Sequence, residues 1–508
     1  ADSMLHARGV DPAPWRRLSR TAQASDTAAA WPAFLRAEKS EHLAASLAAT
    51  YATPAAWVVR YVRSAGSLAE REEEWRVRLR PDGALLDMRH LVAESAPGAS
   101  PEPDEARRIA HGALVRAGID TTPLRETKLD ETARPARRDI TVTYLDSATP
   151  LPGGARARVW VSLAGAEPVL VRRGVELPER FLREERDSQS ARLAIALVCG
   201  ILLMTLVAVG AVVVYRKRPA QVDDAPAGRR TAVLVIAGLA LVAVAQSLNS
   251  LPLILFQYDT AVPWSTYVGS TWIGVVFSAL PALVVAGLWL ATNALRRRAG
   301  IPLLADASGG ATGRDALLAG LALGSLLALP RLLSNFVAPS IPSGPQTLLD
   351  QALPWLDGAL GVPMGAVTIV PVVAIPALTV LGLARRTSIR AALALALVGL
   401  AAGTALPLAQ RNGSVAPLGL ALGGVAVIAL VGAMRAWGGV CVMAWVVAAV
   451  TYRALSSLHV ALHAPTAVEQ VSGLLGALAS MGLIWWLNSR TTDSHGGIPD
   501  SHGSTFLM

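Results

Sequence analysis

The sequence predicts an α-helical polytopic membrane bundle of about nine spans, preceded by an α+β domain outside the cytoplasm. The first observation is a border near residue 190, where a charged, mixed sequence gives way to long apolar stretches that begin with Ala191–Tyr215. About 20 apolar residues cross the roughly 30 Å hydrocarbon core as a helix. The second is composition: 16% of the 508 residues are charged, whereas soluble domains carry about 25%. The predicted domains are an outer domain (1–190), a transmembrane domain (191–490) and a cytoplasmic tail (491–508).

Two segments of the outer domain predict helices. Residues 26–50 are rich in Ala and contain the apolar Trp31 and Phe34. Residues 101–118 begin with acidic side chains and end at a glycine, which is typical of a helix and its stop. Strands surround both segments, so we expect an antiparallel sheet with helices packed on it.

The strands of the outer domain are predicted from alternating apolar and polar residues. In Glu74–Arg80 the alternation is strict, so Trp75, Val77 and Leu79 should face a core while the intervening arginines face solvent. Further strands are predicted over residues 55–63, 84–90, 139–144, 157–163 and 168–173. The expected core residues are Trp57, Trp75, Val77, Leu79, Ile109, Val159 and Val161.

The apolar stretches also predict an orientation. The candidate spans are residues 191–215, 231–256, 266–295, 315–337, 359–383, 391–409, 418–434, 440–458 and 471–487. The segments after the odd-numbered spans hold fourteen Lys and Arg residues, whereas the other four loops hold only Arg411. Because such residues remain on the cytoplasmic side, the outer domain should lie outside and the C-terminus inside. This topology requires a cleaved signal or a further helix before Ala1.

Several motifs resemble known bacterial proteins. Trp57-Val-Val-Arg-Tyr, a turn at Asp82-Gly83 and Asp104-Glu-Ala-x-x-Ile-Ala resemble PepSY-type extracytoplasmic domains. Residues 137–144, 158–165 and 175–181, together with Ser247-Leu-Asn-Ser-Leu-Pro, resemble CPBP-type proteins, which are CAAX-protease-like membrane proteins. The resemblance implies a multi-pass protein of the bacterial inner (cytoplasmic) membrane.

The catalytic motifs of that family are not matched. CPBP-type peptidases are expected to place Glu-Glu-x-x-x-Arg on a membrane helix, and here the match is Glu73, Glu74 and Arg78. These residues fall in the alternating strand, where Glu74 and Arg78 should share a solvated face. A motif without its structural context is a coincidence, so the sequence predicts lost peptidase chemistry and no cofactor.

A second candidate site lies near the end of the chain. His459 and His463 are four residues apart and share one helix face, so both imidazoles could meet one metal ion, with Glu469 as a third ligand. Pro465 interrupts that helix, and the Glu of a His-Glu-x-x-His motif is missing. The alternative interpretation is that both histidines bond to loops at the outer interface, without metal.

Ionisable residues within apolar spans are costly in a bilayer and are therefore functional candidates. Arg331 and Arg453 lie inside predicted spans, and Asp357 borders one. Either arginine could pair with Asp357 or Glu469 in the interior. Alternatively, each guanidinium could extend to the nearer interface.

Three functions remain open from the sequence. The first is a non-enzymatic scaffold, accessory subunit or peptide-binding protein that contacts the lipid bilayer and other membrane protein chains. The second is an intramembrane hydrolase that uses His459, His463 and Glu469, and the third is a transporter with Arg331 and Asp357 in a polar path. The net charge of +9 does not indicate nucleic-acid binding, because the arginine clusters lie between apolar spans.

Overall fold

The structure, a computed structural model, describes residues 1–23, 30–53, 55–80, 82–190, 226–298 and 350–353, with isolated positions elsewhere. Its main feature is an eight-stranded antiparallel sheet of order β1-β2-β3-β4-β8-β7-β6-β5. The strands are β1 (Arg16–Gln23), β2 (Ala55–Val62), β3 (Glu74–Leu79), β4 (Leu85–Leu91), β5 (Leu124–Arg134), β6 (Arg137–Pro150), β7 (Arg156–Ala164) and β8 (Glu167–Glu176).

Helices precede, connect and follow the strands. Five lie in the first half of the described chain: α1 (Asp2–His6), α2 (Trp31–Ala37), α3 (Leu43–Ala48), α4 (Leu68–Glu72) and α5 (Pro103–Arg116). Residues 179–190 are also helical. Four more follow: α6 (Pro226–Asn249), α7 (Leu251–Phe256), α8 (Trp264–Phe277) and α9 (Leu280–Arg298).

The sheet consists of two meanders, β1–β4 and β5–β8, with α5 as the connection between them. They meet at a narrow seam, where the ladder between β4 and β8 has one register pair, Arg89 opposite Leu170. Side chains reinforce this seam. The ring of His90 lies 2.8 Å from Glu167 and 3.1 Å from Glu73, so it bridges β8 and the start of β3.

One face of the sheet carries the apolar core. On the β5–β8 half, Val142, Val159 and Val161 pack with α2, α3 and α5 in one large cluster. On the β1–β4 half, Trp75 and Val77 form a second cluster with Leu5 and Trp15 of the N-terminal segment. The alternation of each strand therefore turns its apolar residues toward the helices, which removes them from water.

The opposite face contacts the helices that follow the sheet. Leu18 of β1 and Val58 and Val62 of β2 pack against Phe256 and Tyr258 at the end of α7. Asp350, which is buried, caps the outer edge of β1 by accepting hydrogen bonds from the backbone N–H and the hydroxyl of Thr21. Burial raises the pKa of Asp350, although the bonds from Thr21 oppose this shift.

The predicted bundle of about nine spans is wrong for the fold that the structure describes. An eight-stranded antiparallel sheet dominates it, and in the described residues one stretch, Trp264–Thr292, is long and apolar enough to cross a membrane. The predicted span 231–256 is too short in the structure, because its apolar helical part, Ile236–Asn249, has fewer than the about 20 residues that a span requires. The spans predicted from residue 315 onward, and most of 191–215, fall outside the described residues.

The predicted strands are confirmed at their positions, whereas the helix predicted over residues 26–50 is corrected. It is divided into α2 and α3, because the chain turns at Lys39, whose φ of 51° is incompatible with a continuing helix. Residues 24–29 of the predicted helix lie outside the described residues. Of the predicted core residues, Trp75, Val77, Val159 and Val161 are buried, Ile109 and Leu79 are partly buried against the clusters, and Trp57 lies in none of them.

Replacing Trp75 should strongly destabilise the outer domain. The indole is 6% exposed and stacks on the ring of His90, with 3.9 Å between the ring centroids. The substitution Trp75→Ala should lower the free energy of unfolding by about 3–5 kcal/mol, measured by denaturation of the full chain in detergent. The control Leu85→Ala removes an exposed side chain of β4 and should change it by about 0.5 kcal/mol or less. Equal effects of the two substitutions would contradict the assigned core.

Candidate anion-binding pocket

The second face of the sheet carries a set of arginines from neighbouring strands. β1 contributes Arg20, β2 Arg60, β3 Arg76 and Arg78, β4 Arg89 and β8 Arg172. Because alternate residues of a strand face the same side, the ladder brings these side chains together beside α7. They surround a cavity of about 380 Å³, whose other lining residues are Ala22, Val58, Asp87, Leu170 and Phe256.

Arg60 connects the floor of this pocket to the helices. Its guanidinium is bidentate to buried Glu74, with N–O distances of 2.7 and 2.6 Å. The same group donates hydrogen bonds to the backbone carbonyls of Phe256 at 2.5 Å and Tyr258 at 3.1 Å. Arg60 thereby pairs with a carboxylate on the adjacent strand and donates hydrogen bonds to carbonyl groups at the C-terminal end of α7. A buried charge requires such partners.

The carboxylate of Glu74 is shared between two arginines. It is 2% exposed, and Arg76 contacts it as well as Arg60. Burial alone would raise the pKa of Glu74, but the hydrogen bonds and charges of Arg60 and Arg76 outweigh burial and hold the pKa below its usual range. Glu74 is therefore ionised, and its carboxylate is held by two arginines in a structural role.

A second ion pair lies beside the first. Arg78 forms a two-point contact with Asp87 of β4, and Asp87 is buried. This pair joins β3 to β4 near the register shift between Arg78 and Leu79. Arg60 and Arg78 are thus each matched by a carboxylate.

Other arginines of the pocket lack such a match. In the described residues, no carboxylate lies within 4 Å of the guanidinium of Arg20 or Arg89. The guanidinium of Arg20 stacks over the ring of Phe256 at 4.6 Å. The buried Nε of Arg20 has no hydrogen-bond acceptor among the described residues. Arg89 also lines the pocket and is exposed. The pocket therefore offers N–H donors and positive charge in excess of its own acids.

Such a pocket is chemically suited to an anion. Guanidinium groups present planar donor forks that match carboxylate and phosphate oxygens, and they remain charged at any physiological pH. The same groups are poor general bases, so the pocket favours binding and orientation over proton transfer. In the described part of the chain, no group of three His, Cys, Asp or Glu residues is arranged to hold a metal ion.

The structure locates the Glu-Glu-x-x-x-Arg match and corrects its environment. Glu74 and Arg78 lie within β3, as predicted, and Glu73 immediately precedes it. The prediction that Glu74 and Arg78 share a solvated face is wrong, because Arg60 and Phe256 cover that face. Glu73 contacts Arg63 at 3.2 Å and His90, so both glutamates of the motif have structural partners.

The remaining predicted site residues fall outside the described residues. They are the candidate catalytic or metal residues His459, His463 and Glu469 and the intramembrane polar residues Arg331, Arg453 and Asp357. Nothing is therefore added to the sequence-based interpretation of these six.

Sequence reasoning did not identify the arginine pocket. A signal was present, since Arg76 and Arg78 alternate with apolar residues in β3, and Arg60 and Arg89 are paired with Arg76 on the strands beside it. The pattern placed these arginines on one face. It did not indicate that a helix almost 200 residues later would cover part of it.

Family models, curated protein sequences and solved structures were all compared with this chain, and none of them matches it.

The buried ion pair should make stability depend on pH in the acid range. Because the pKa of Glu74 is lowered by folding, the pair stabilises the fold above the ordinary carboxyl pKa, and this contribution is lost as the pH falls through the lowered value. Between about pH 5 and pH 3, the melting temperature of the full chain should fall more steeply in the wild type than in Glu74→Gln. Glu105→Gln, which changes an exposed glutamate of α5, should keep the wild-type slope. Parallel pH profiles for the wild type and Glu74→Gln would contradict the assignment.

Proposed function

We propose that this chain is a membrane-attached, non-enzymatic accessory protein whose outer domain binds an anionic group. The observation that carries the proposal is the arginine pocket between the sheet and the end of α7. Its guanidinium groups come from five strands, so they can converge on one ligand from several sides. Binding of a partner's or ligand's anionic group fits the accessory or ligand-binding role better than catalysis.

The occupied carboxylates support a non-enzymatic role. A peptidase of the resembled kind needs a glutamate that can activate water beside a group that stabilises the oxyanion. In the only Glu-Glu-x-x-x-Arg match of the sequence, Glu74 is closed off by two arginines and Glu73 contacts Arg63 and His90. The hydrolase and transporter alternatives rest on residues outside the described part of the chain.

Membrane attachment is supported by the stretch from Trp264 to Thr292, which comprises α8 and most of α9. Its length and composition suit a span. Large apolar side chains on it are exposed to a degree that is costly in water: Val276 is 69% exposed and Phe277 59%. A hydrocarbon environment would accommodate both side chains.

The charges that flank this stretch support an orientation. Arg296, Arg297 and Arg298 follow its C-terminal end, whereas residues 249–263 before it contain no Lys or Arg. The positive-inside rule then places the arginine end in the cytoplasm and the Trp264 end outside. The sheet contacts the Trp264 end through Phe256 and Tyr258, so this orientation puts the outer domain on the extracytoplasmic side.

Anion binding should be detectable as a gain in stability. Inorganic phosphate or citrate, added to the full chain in neutral detergent, should raise its melting temperature above that in sodium chloride of equal ionic strength. A ligand at 100 times its Kd stabilises by about 2.7 kcal/mol. The double variant Arg20→Gln/Arg89→Gln should lose this shift, because it removes the two arginines without a matching carboxylate. The control Arg108→Gln/Arg180→Gln removes the same charge from exposed positions and should keep the shift. Equal shifts in the two variants would indicate a general salt effect and refute the pocket.

The proposed orientation predicts which engineered cysteines are accessible from outside the cell. With Cys199 and Cys441 replaced, a cysteine at Ser95, which is exposed on the outer domain, should react with a membrane-impermeant maleimide in intact cells, after permeabilisation of any outer membrane. A cysteine at Ser308, which follows the arginine cluster, should react only after lysis. The reverse result would overturn the orientation, and labelling of both positions in intact cells would exclude a membrane boundary between them.

A further inference from the structure

The position of the pocket identifies the kind of anion that it would meet. Phe256 forms one wall, and the next elements of the chain are Tyr258 and the start of α8 at Trp264. The ring of Tyr258 lies 4.9 Å from that of Trp264 and 5.1 Å from that of Tyr267. The pocket wall and the first turn of the candidate span therefore belong to one aromatic cluster. Trp and Tyr concentrate at the level of lipid headgroups, so the membrane attachment proposed above would bring the pocket to that level.

A further arginine occupies the same level. The guanidinium of Arg16 on β1 stacks over the ring of Trp264 at 4.0 Å. Arg20, four residues further along β1 and on the same face, stacks over Phe256. Both groups lie at the junction of the sheet with the start of the span. This edge of the outer domain thus combines aromatic rings with positive charge, the composition that favours an anionic lipid surface.

The lining and the volume of the pocket restrict the kinds of anion that it could bind. Its lining includes apolar side chains, Val58, Leu170 and Phe256, beside the guanidinium groups. A cavity of about 380 Å³ is near the lower end of the roughly 300–1,000 Å³ range of ligand pockets. A phosphate with a short polar substituent fits this volume. A headgroup that carries an ammonium would bring a like charge toward Arg20 and Arg89, which is unfavourable.

We propose that the pocket binds the phosphate of an anionic phospholipid headgroup, with the acyl chains directed along the apolar surface of α8 and α9. This inference rests on the anion-binding function proposed above and names its ligand. Arg20, Arg76 and Arg89 are the phosphate ligands. Arg60 positions the wall of the pocket through its bonds to the carbonyls of Phe256 and Tyr258. The lipid in this arrangement fastens the sheet to the membrane beside the span.

The test is native mass spectrometry of the full chain in a neutral detergent. Phosphatidylglycerol or phosphatidylcholine is added at equal concentration, and the affinity of the first bound lipid is measured. Phosphatidylglycerol should bind more tightly than phosphatidylcholine. Its affinity should be at least about tenfold lower in Arg20→Gln/Arg89→Gln, as expected for the loss of one charge-assisted hydrogen bond. The control Arg108→Gln/Arg180→Gln should bind as the wild type does, and the melting temperatures of all three chains without lipid show whether the variants are folded.

Soluble ligands distinguish the source of the phosphate. Glycerol 1-phosphate and inorganic phosphate, measured on the same lipid-free samples, should bind more weakly than phosphatidylglycerol, because they lack the acyl chains. If either soluble compound binds as tightly as the lipid and loses affinity in Arg20→Gln/Arg89→Gln, the lipid inference fails while the anion site stands. If phosphatidylglycerol binds equally to all variants, its contacts are annular and the inference fails. If no anion distinguishes the variants, the proposed function fails as well.

Discussion

The rest of the architecture depends on the buried contact between Arg60 and Glu74. Removing two such charges from water costs several kcal/mol each, and the cost is offset only when every donor and acceptor finds a partner. Here the guanidinium has four acceptor contacts, two with the carboxylate and two with the carbonyls of Phe256 and Tyr258. The second pair of bonds can form only when the end of α7 lies on the sheet. The ion pair therefore requires that the outer domain and the following helices remain together.

The same contact explains why the pocket is polar. Buried Arg60 is balanced by Glu74 of β3, and Arg78 beside it is balanced by Asp87 of β4. Arg76 shares one of these acids, and Arg20 and Arg89 add further positive charge. Clustered like charges repel one another in a partly covered site. An anion in the pocket relieves this repulsion, which gives binding a source of free energy that is independent of buried apolar area.

Strands with regular alternation could be predicted from the sequence, and strands without it could not. β3 places Trp75 and Val77 on the core face, and its boundaries follow from that pattern. β1 and β5 were missed because most of their residues are charged or polar. Both are edge strands, at positions 1 and 8 of the sheet, where one side of the backbone is unpaired and charged residues protect the edge. Their polar sequences are typical of exposed edge strands and lack the alternation of apolar residues that indicates a buried face.

The errors on the environment of Glu74 and on the predicted span 231–256 have a common physical origin. Period-two alternation shows which residues share a face, but the cover of that face is set by contacts that are distant in the chain; Phe256 is 196 positions from Arg60. Hydropathy likewise counts apolar residues without testing where a helix ends. Here α6 ends at Asn249, inside the predicted span. Local patterns are informative about faces and composition. The residue that covers such a face lies outside the short sequence segment from which the pattern is read.

The seam between the two meanders gives the pocket a mechanical context. β4 and β8 share one ladder pair, and Arg89 and Leu170, the members of that pair, both line the pocket. A ligand held there contacts both half-sheets, whereas the bridge of His90 to Glu73 and Glu167 closes the seam from the other face. Binding and the relative position of the half-sheets are then thermodynamically linked: a ligand that favours one geometry of the seam shifts the sheet toward it by its difference in affinity. Because Arg60 ties the first half-sheet to the end of α7, the same shift is transmitted to that helix.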